Sequence, residues 1–268
     1  MSVLLLTSAG HAPGVTALGV ALAVTWPEPV LFVDANREPD QTVLAGHLQG
    51  SDPGGRGLGG LLQAHRERRP LAACLDAMTV PLADGGRDFL PGFSHPGMVA
   101  LFGPAWTELA RALEDAGRTV LVDAGRITPD GLPPALVAAS SGVAVVTGSR
   151  LVDLAALRLY LPLVVAAAGE ERVGLVVVGP GRPYGSGEIG HRFGVPVWGK
   201  VAWQPVEAGV FASGEPAPRR LLSSAYVADV RALGAVLAAR ATDRRALLRE
   251  PGRSSVPHHA TGRGSPAS

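Results

Sequence analysis

Short apolar runs, each too brief to make a helix, alternate along this chain with longer stretches of helical periodicity. That alternation admits few folds. Strands buried on both faces read as continuous Val/Leu/Ile runs, and helices between them cover a parallel sheet on either side. The runs predict strands at Val3–Leu6, Val30–Val33, Asp88–Leu90, Val120–Val122, Val143–Thr147, Val173–Val178 and Val195–Val201. Helices are expected at Gly14–Val24, Leu61–Leu75, Pro104–Ala116, Pro133–Ser140, Leu151–Ala167, Ser186–Phe193, Val206–Ser213 and Ala225–Ala239. The expected architecture is a three-layer α/β domain with a mainly parallel seven-stranded sheet and helices on both faces. It spans residues 1–240, followed by a basic, disordered tail over 241–268.

Hydrophobic residues at 47% and charged residues at 18% suit such a body. The formal net charge of +1 supplies no global field for nucleic acid. Arg240, Arg244, Arg245, Arg249, Arg253 and Arg263 concentrate the basic excess at the end, leaving the body slightly acidic. A single cysteine, Cys74, excludes an internal disulfide and suits a reducing cytoplasm. The first 25 residues lack the basic start of a secretion signal, and His11-Ala12-Pro13-Gly14 interrupts their apolar run. Leu151–Ala168 comes nearest to a membrane span but carries Asp153, Arg158 and Pro162.

The first turn carries the chemistry. Val3–Leu6 runs through Thr7-Ser8-Ala9-Gly10-His11-Ala12-Pro13-Gly14-Val15-Thr16 into a helix. A strand, a glycine loop and a helix start form an anion site, because free amides and the helix dipole point at one spot. Two carboxylates, Asp34 and Asp123, close the apolar runs Val30–Val33 and Thr119–Val122. Side by side at the carboxyl edge of a sheet they would mark a site; separately, each would cap a turn.

The segment from Thr7 to Ala23 resembles the deviant phosphate loop of the ParA/MinD family, Lys-Gly-Gly-x-Gly-Lys-Thr-Thr. Gly10, His11, Ala12, Pro13, Gly14, Val15, Thr16 and Ala17 take its eight places, and only Gly14 and Thr16 match. Gly10 stands where a lysine would cross to a partner's phosphates, and Val15 where a second would bridge the β- and γ-phosphates. The resemblance implies an ATP or ADP site built from Gly10, His11, Gly14, Val15, Thr16, Asp123 and Gly179. Thr16 and Asp123 would hold Mg, Asp34 would sit near the attacking water, and Gly179 replaces an adenine-recognising Asn. Trp203-Gln204, within Gly199–Gly209, stands in for a Pro-Asp or Pro-Glu pair near the base. On the plainer reading, Thr16 only caps the helix and His11 is a solvated loop residue.

With both lysines missing, nucleotide binding is expected to be weak or absent and hydrolysis lost. Lys200 is the chain's one lysine and lies far downstream. The implied role is that of a cytoplasmic localisation or assembly factor, resembling the degenerate subset that positions Tad-type pilus or secretion machinery. Its partners would be proteins, such as a secretion or pilus ATPase, and any homodimer would not be gated by ATP.

Three alternatives stand beside this. An active partitioning ATPase would use nonstandard phosphate contacts, with Arg126 or His11 meeting the phosphate. A nicotinamide oxidoreductase would use Gly10-x-x-x-Gly14 with Asp34, although Pro196, not Tyr, precedes Lys200 by four residues. A membrane-surface protein would use the basic stretch Arg240–Arg249 with Leu247 and Leu248.

Overall fold

The computed structural model describes residues 2–10 and 14–249, with side chains through Thr242. Eight strands, β1 (Val3–Ser8), β2 (Val30–Asp34), β3 (Val80–Ala83), β4 (Arg87–Leu90), β5 (Thr119–Arg126), β6 (Gly142–Gly148), β7 (Val173–Val178) and β8 (Val197–Val201), form one sheet. Their order is β3-β4-β2-β5-β1-β6-β7-β8, parallel throughout except that β3 runs against β4. The expected fold class holds, with one strand more than the seven expected. The addition, β3, is short and carries Pro81, which an edge strand tolerates and a central strand does not.

The helices are α1 (Val15–Thr25), α2 (Leu58–Arg66), α3 (Leu71–Cys74), α4 (Gly97–Leu101), α5 (Trp106–Glu114), α6 (Pro134–Ala139), α7 (Leu151–Ala168), α8 (Ser186–Phe193), α9 (Pro205–Ala212) and α10 (Ala225–Arg249). The single helix expected at Leu61–Leu75 is broken in two. Arg68 adopts φ 58°, and Pro70 disfavours helix at Arg69 before it. Helix α10 runs through Arg249, into the stretch expected to be tail; the rest of that tail lies outside the described residues.

Alternating residues of the strands supply two cores. Val3 and Leu5 of β1 face a layer containing Leu58, Leu71, Leu109, Leu136, Leu157 and Ile189, from α2, α3 and α5 to α8. Leu4 and Leu6 face the other layer, where Leu18 and Leu22 of α1 meet Phe211 of α9 and Val227, Val230 and Leu237 of α10. This is the period-two pattern of a sheet covered on both faces.

The strand order also fixes where a ligand would sit. From β1 the chain moves to β2, two places to one side, then returns through β5 to β6 on the other. The carboxyl ends of β1, β2 and β5 therefore border a crevice that neighbouring helices leave open. Because β5 separates β1 from β2, this is not the dinucleotide-binding order, in which those two strands are neighbours. The Gly10–Gly14 and Asp34 spacing thus lacks the frame that a nicotinamide site needs.

Candidate functional site

Helix α1 starts directly after the loop that leaves β1. Gly14 sits in the left-handed region at φ 76°, its carbonyl accepting the first helical bond from Leu18 N–H at 2.8 Å. An L side chain there would be strained, which accounts for the glycine. Val15 is 7% exposed and packs into the apolar cluster around α1. Gly10 is held against α7: a Cβ at this residue would lie 2.8 Å from the Cβ of Ala156. His11 lies outside the described residues.

Thr16 does not cap the helix. Its Oγ1 donates to Asp123 Oδ2 at 2.6 Å, across 107 residues of sequence. Register brings Asp34 and Asp123 level, since the two are directly paired on β2 and β5. Each carboxylate also closes a turn, accepting from the amide two residues on: Asn36 N–H to Asp34 at 3.0 Å, and Gly125 N–H to Asp123 at 2.8 Å. The turn-cap reading therefore holds for both residues, and the register also sets the two carboxylates side by side at the carboxyl edge of the sheet.

Both acids resist ionisation. Burial pushes the Asp34 carboxyl up to about 8, with the negative charge of Asp123 adding to it and Asn36 N–H partly offsetting it. Burial likewise lifts Asp123 to about 6 against the pull of Thr16 and Gly125. Asp40 raises both, a contribution that no sequence pattern announced. Gly92 allows the fit: a Cβ there would stand 2.5 Å from Asp34 Oδ2. Arg126, the other candidate phosphate contact, is turned to Glu38 at 3.6 Å.

Comparison by sequence is silent: no family model matches the chain, and no curated protein matches it. Comparison by structure is not. A chain of the MinC:MinD cell division protein complex from Aquifex aeolicus superposes with a TM-score of 0.69 at 15% identity, covering 89% of this chain and 96% of that one. A ParA family ATPase from Chlorobium tepidum gives 0.66 at 18%, covering 90% and 98%. The septum site-determining protein MinD from Pyrococcus horikoshii, solved with Mg-ADP, gives 0.65 at 17%, covering 87% and 94%. The fold is that of the MinD and ParA ATPases.

Within this MinD/ParA fold the crevice has two sides. The acids and Thr16 lie on one. On the other, Gly14 and Leu18 at the start of α1 join Val178, Trp203, Ala208 and Tyr226 around a mostly apolar pocket of ≈ 290 Å³. Gln204 Oε1 braces its floor by accepting from Tyr226 N–H at 2.8 Å. The pocket stands beside the start of α1, at the small end of ligand-site volumes. Gly179, at φ 65°, lines an adjoining pocket instead, close to Trp203 and Arg182. Arg182 lies over the Trp203 ring at 5.7 Å, so the space of the expected Asn is filled by an Arg–Trp pair. That pairing was not foreseen, because nothing in sequence links residue 182 to residue 203.

The structure thus gathers Gly10, Gly14, Thr16, Asp34 and Asp123 around one crevice. It buries Val15 in the apolar cluster around α1 and sets Gly179 in an adjoining pocket with Arg182 and Trp203.

Proposed function

We propose that this protein keeps the nucleotide-shaped crevice of its fold but has lost turnover, and works through protein contacts as a cytoplasmic localisation or assembly factor. The carrying observation is Val15, buried in the core where the ParA/MinD loop has its phosphate-bridging lysine. Without an ammonium group there, the charge that builds up in phosphoryl transfer goes uncompensated. Lys200 cannot replace it. It lies on β8, three strands from β1, or about 14 Å at ~4.8 Å per strand.

Magnesium fits the donors present, since Thr16 Oγ1 and Asp123 Oδ2 are hard oxygen ligands side by side. Among the described residues no three His, Cys, Asp or Glu side chains cluster as a metal cage, so the ion would be held jointly with phosphate oxygens. Bound there, it would neutralise phosphate charge. The chain's own part is to keep Asp123 oriented through Thr16 and Gly125.

By analogy of fold and of the eroded loop, the partner is a protein of Tad-type pilus or secretion machinery, such as its ATPase. The intact Thr16–Asp123 pair favours one competing reading, an active partitioning ATPase of chromosomes or plasmids. Calorimetry with ATP and ADP, with and without magnesium, and a phosphate-release assay separate the two. Weak or no binding and no turnover above background is expected. Turnover at ordinary P-loop rates, abolished by Asp123→Ala, would overturn the proposal.

A further inference from the structure

Helix α7 is apolar on two opposite faces, and the fold uses only one. Asp153, Leu157, Leu161, Val164 and Ala168 are buried against the sheet. On the other side Leu151 is 66% exposed, Val152 66%, Leu159 72% and Leu163 40%. The exposed stripe borders a groove of ≈ 1050 Å³ between α7 and α8. No other helix among the described residues is long and apolar enough to cross a membrane, and this one lies on the protein surface. A face of that size and character marks an interaction site.

The pattern of the stripe specifies its occupant. Val152, Ala155, Leu159, Leu163 and Ala166 all fall within roughly 40° of the Leu159 direction on a 3.6-residue helix. Their spacings are three, four, four and three, which read the same in both directions. Turned end to end about Leu159, the stripe sets Val152 opposite Ala166 of a second copy, Ala155 opposite Leu163, and Leu159 opposite itself. Each large side chain between Val152 and Leu163, apart from the one on the axis, meets a small one, the condition for interdigitation.

The groove's charges balance as well, with Arg158 and Arg192 against Glu170 and Glu188. A self-complementary surface needs such balance, whereas a face for anionic lipid would carry a basic excess. We propose that the exposed face of α7 is an isologous interface between two copies of this chain, packed antiparallel about a two-fold axis through Leu159. The inference stands apart from the nucleotide reading.

Sedimentation of the full chain from about 1 to about 100 μM, where interfaces of modest size associate, tests it. Wild type should reach twice the chain mass at the top of the range. Leu159→Glu, which sets like charges face to face, should weaken association at least about tenfold. Its melting temperature should match wild type, because Leu159 contributes little to the core. Leu159→Cys should form a disulfide-linked dimer under mild oxidation, because the axis sets the residue against its own copy. The one native cysteine, Cys74, is buried and should not compete. A cysteine substituted at exposed Leu222 serves as control.

A wild type of one chain mass at every concentration overturns the proposal. So does association unmoved by Leu159→Glu, or linkage no faster for Leu159→Cys than for the Leu222→Cys control. A monomer that floats with phosphatidylserine vesicles, and loses that binding in Leu159→Glu, would give the face to lipid instead.

Discussion

Replacing Asp34 by asparagine removes a buried carboxyl and leaves its turn intact, because the amide oxygen still accepts from Asn36 N–H. In the folded chain Asp34 holds its proton to about pH 8, against 3.8 when exposed. Between those values the native state carries a proton that the unfolded state has released. The unfolded state then binds fewer protons, so stability falls as pH rises. Four units at ~1.4 kcal/mol each put the ceiling on the order of 5 kcal/mol. Water penetration and local relaxation bring the expected loss to a few kcal/mol.

Urea unfolding followed by circular dichroism at pH 5 and pH 8.5 reads this directly. Wild type should lose stability across the interval, and Asp34→Asn should lose less. Asp123 titrates in both proteins, giving up its proton first while Asp34 is neutral, so its effect cancels in the difference. The gap between variant and wild type should therefore grow in the variant's favour by about 2 to 4 kcal/mol between the two pH values, since the interval from pH 5 spans about three of the four units. A gap that stays constant would mean that Asp34 is ionised in the native state at pH 5, and the buried-acid account of the crevice would be wrong.

Three further outcomes are expected. Thr16→Val removes the hydroxyl that donates to Asp123 Oδ2 and should cost about 1–2 kcal/mol at pH 7, less at pH 5 where the carboxyl is protonated. Gly125→Ala puts a Cβ 2.0 Å from Asn36 Oδ1 at φ 63° and should cost about 2–3 kcal/mol, seen as a melting temperature lower by several degrees. A loss under one degree would contradict the turn geometry. Val15→Lys should not restore phosphate release and should lower the melting temperature, since it inserts an ammonium group among apolar side chains; measurable turnover would show that position 15 reaches the crevice.

Much of the fold was legible because parallel strands buried on both faces leave unbroken apolar runs, as in Val120–Val122 and Val143–Thr147. The misses have local causes. Val80-Pro81-Leu82-Ala83 is short and carries a proline, which weakens the apolar-run signal of a strand but is harmless on an edge. Pro70 should have announced the break between α2 and α3. In the crevice, Asp34, Asp123 and Thr16 were legible from their positions at strand and helix ends. Asp40, Gly92 and the Arg182–Trp203 pair were not, because only tertiary packing brings them there. The exposure of α7 was equally hidden: its sequence is apolar on both faces, and composition alone does not say which face the sheet covers.

Helix α7 also connects the glycine loop after β1 to the proposed interface. Its Ala156 abuts Gly10, while Leu159, about one turn later, points away from the fold. At residue 10 the ParA/MinD pattern has a lysine that reaches a partner's phosphates; here a side chain of any size would first have to displace α7. Nucleotide then has no charged arm through which to hold two subunits together. The α7 stripe needs none, because its contacts are apolar and present with or without ligand. A ligand shifts an association equilibrium only by its difference in affinity for the two states, and the Leu159 face gives it little difference to act on. The mass distribution in sedimentation should therefore be the same with and without Mg-ATP. A shift from one chain to two on adding Mg-ATP would move the interface off α7 and onto the crevice, with some residue other than Gly10 supplying the link.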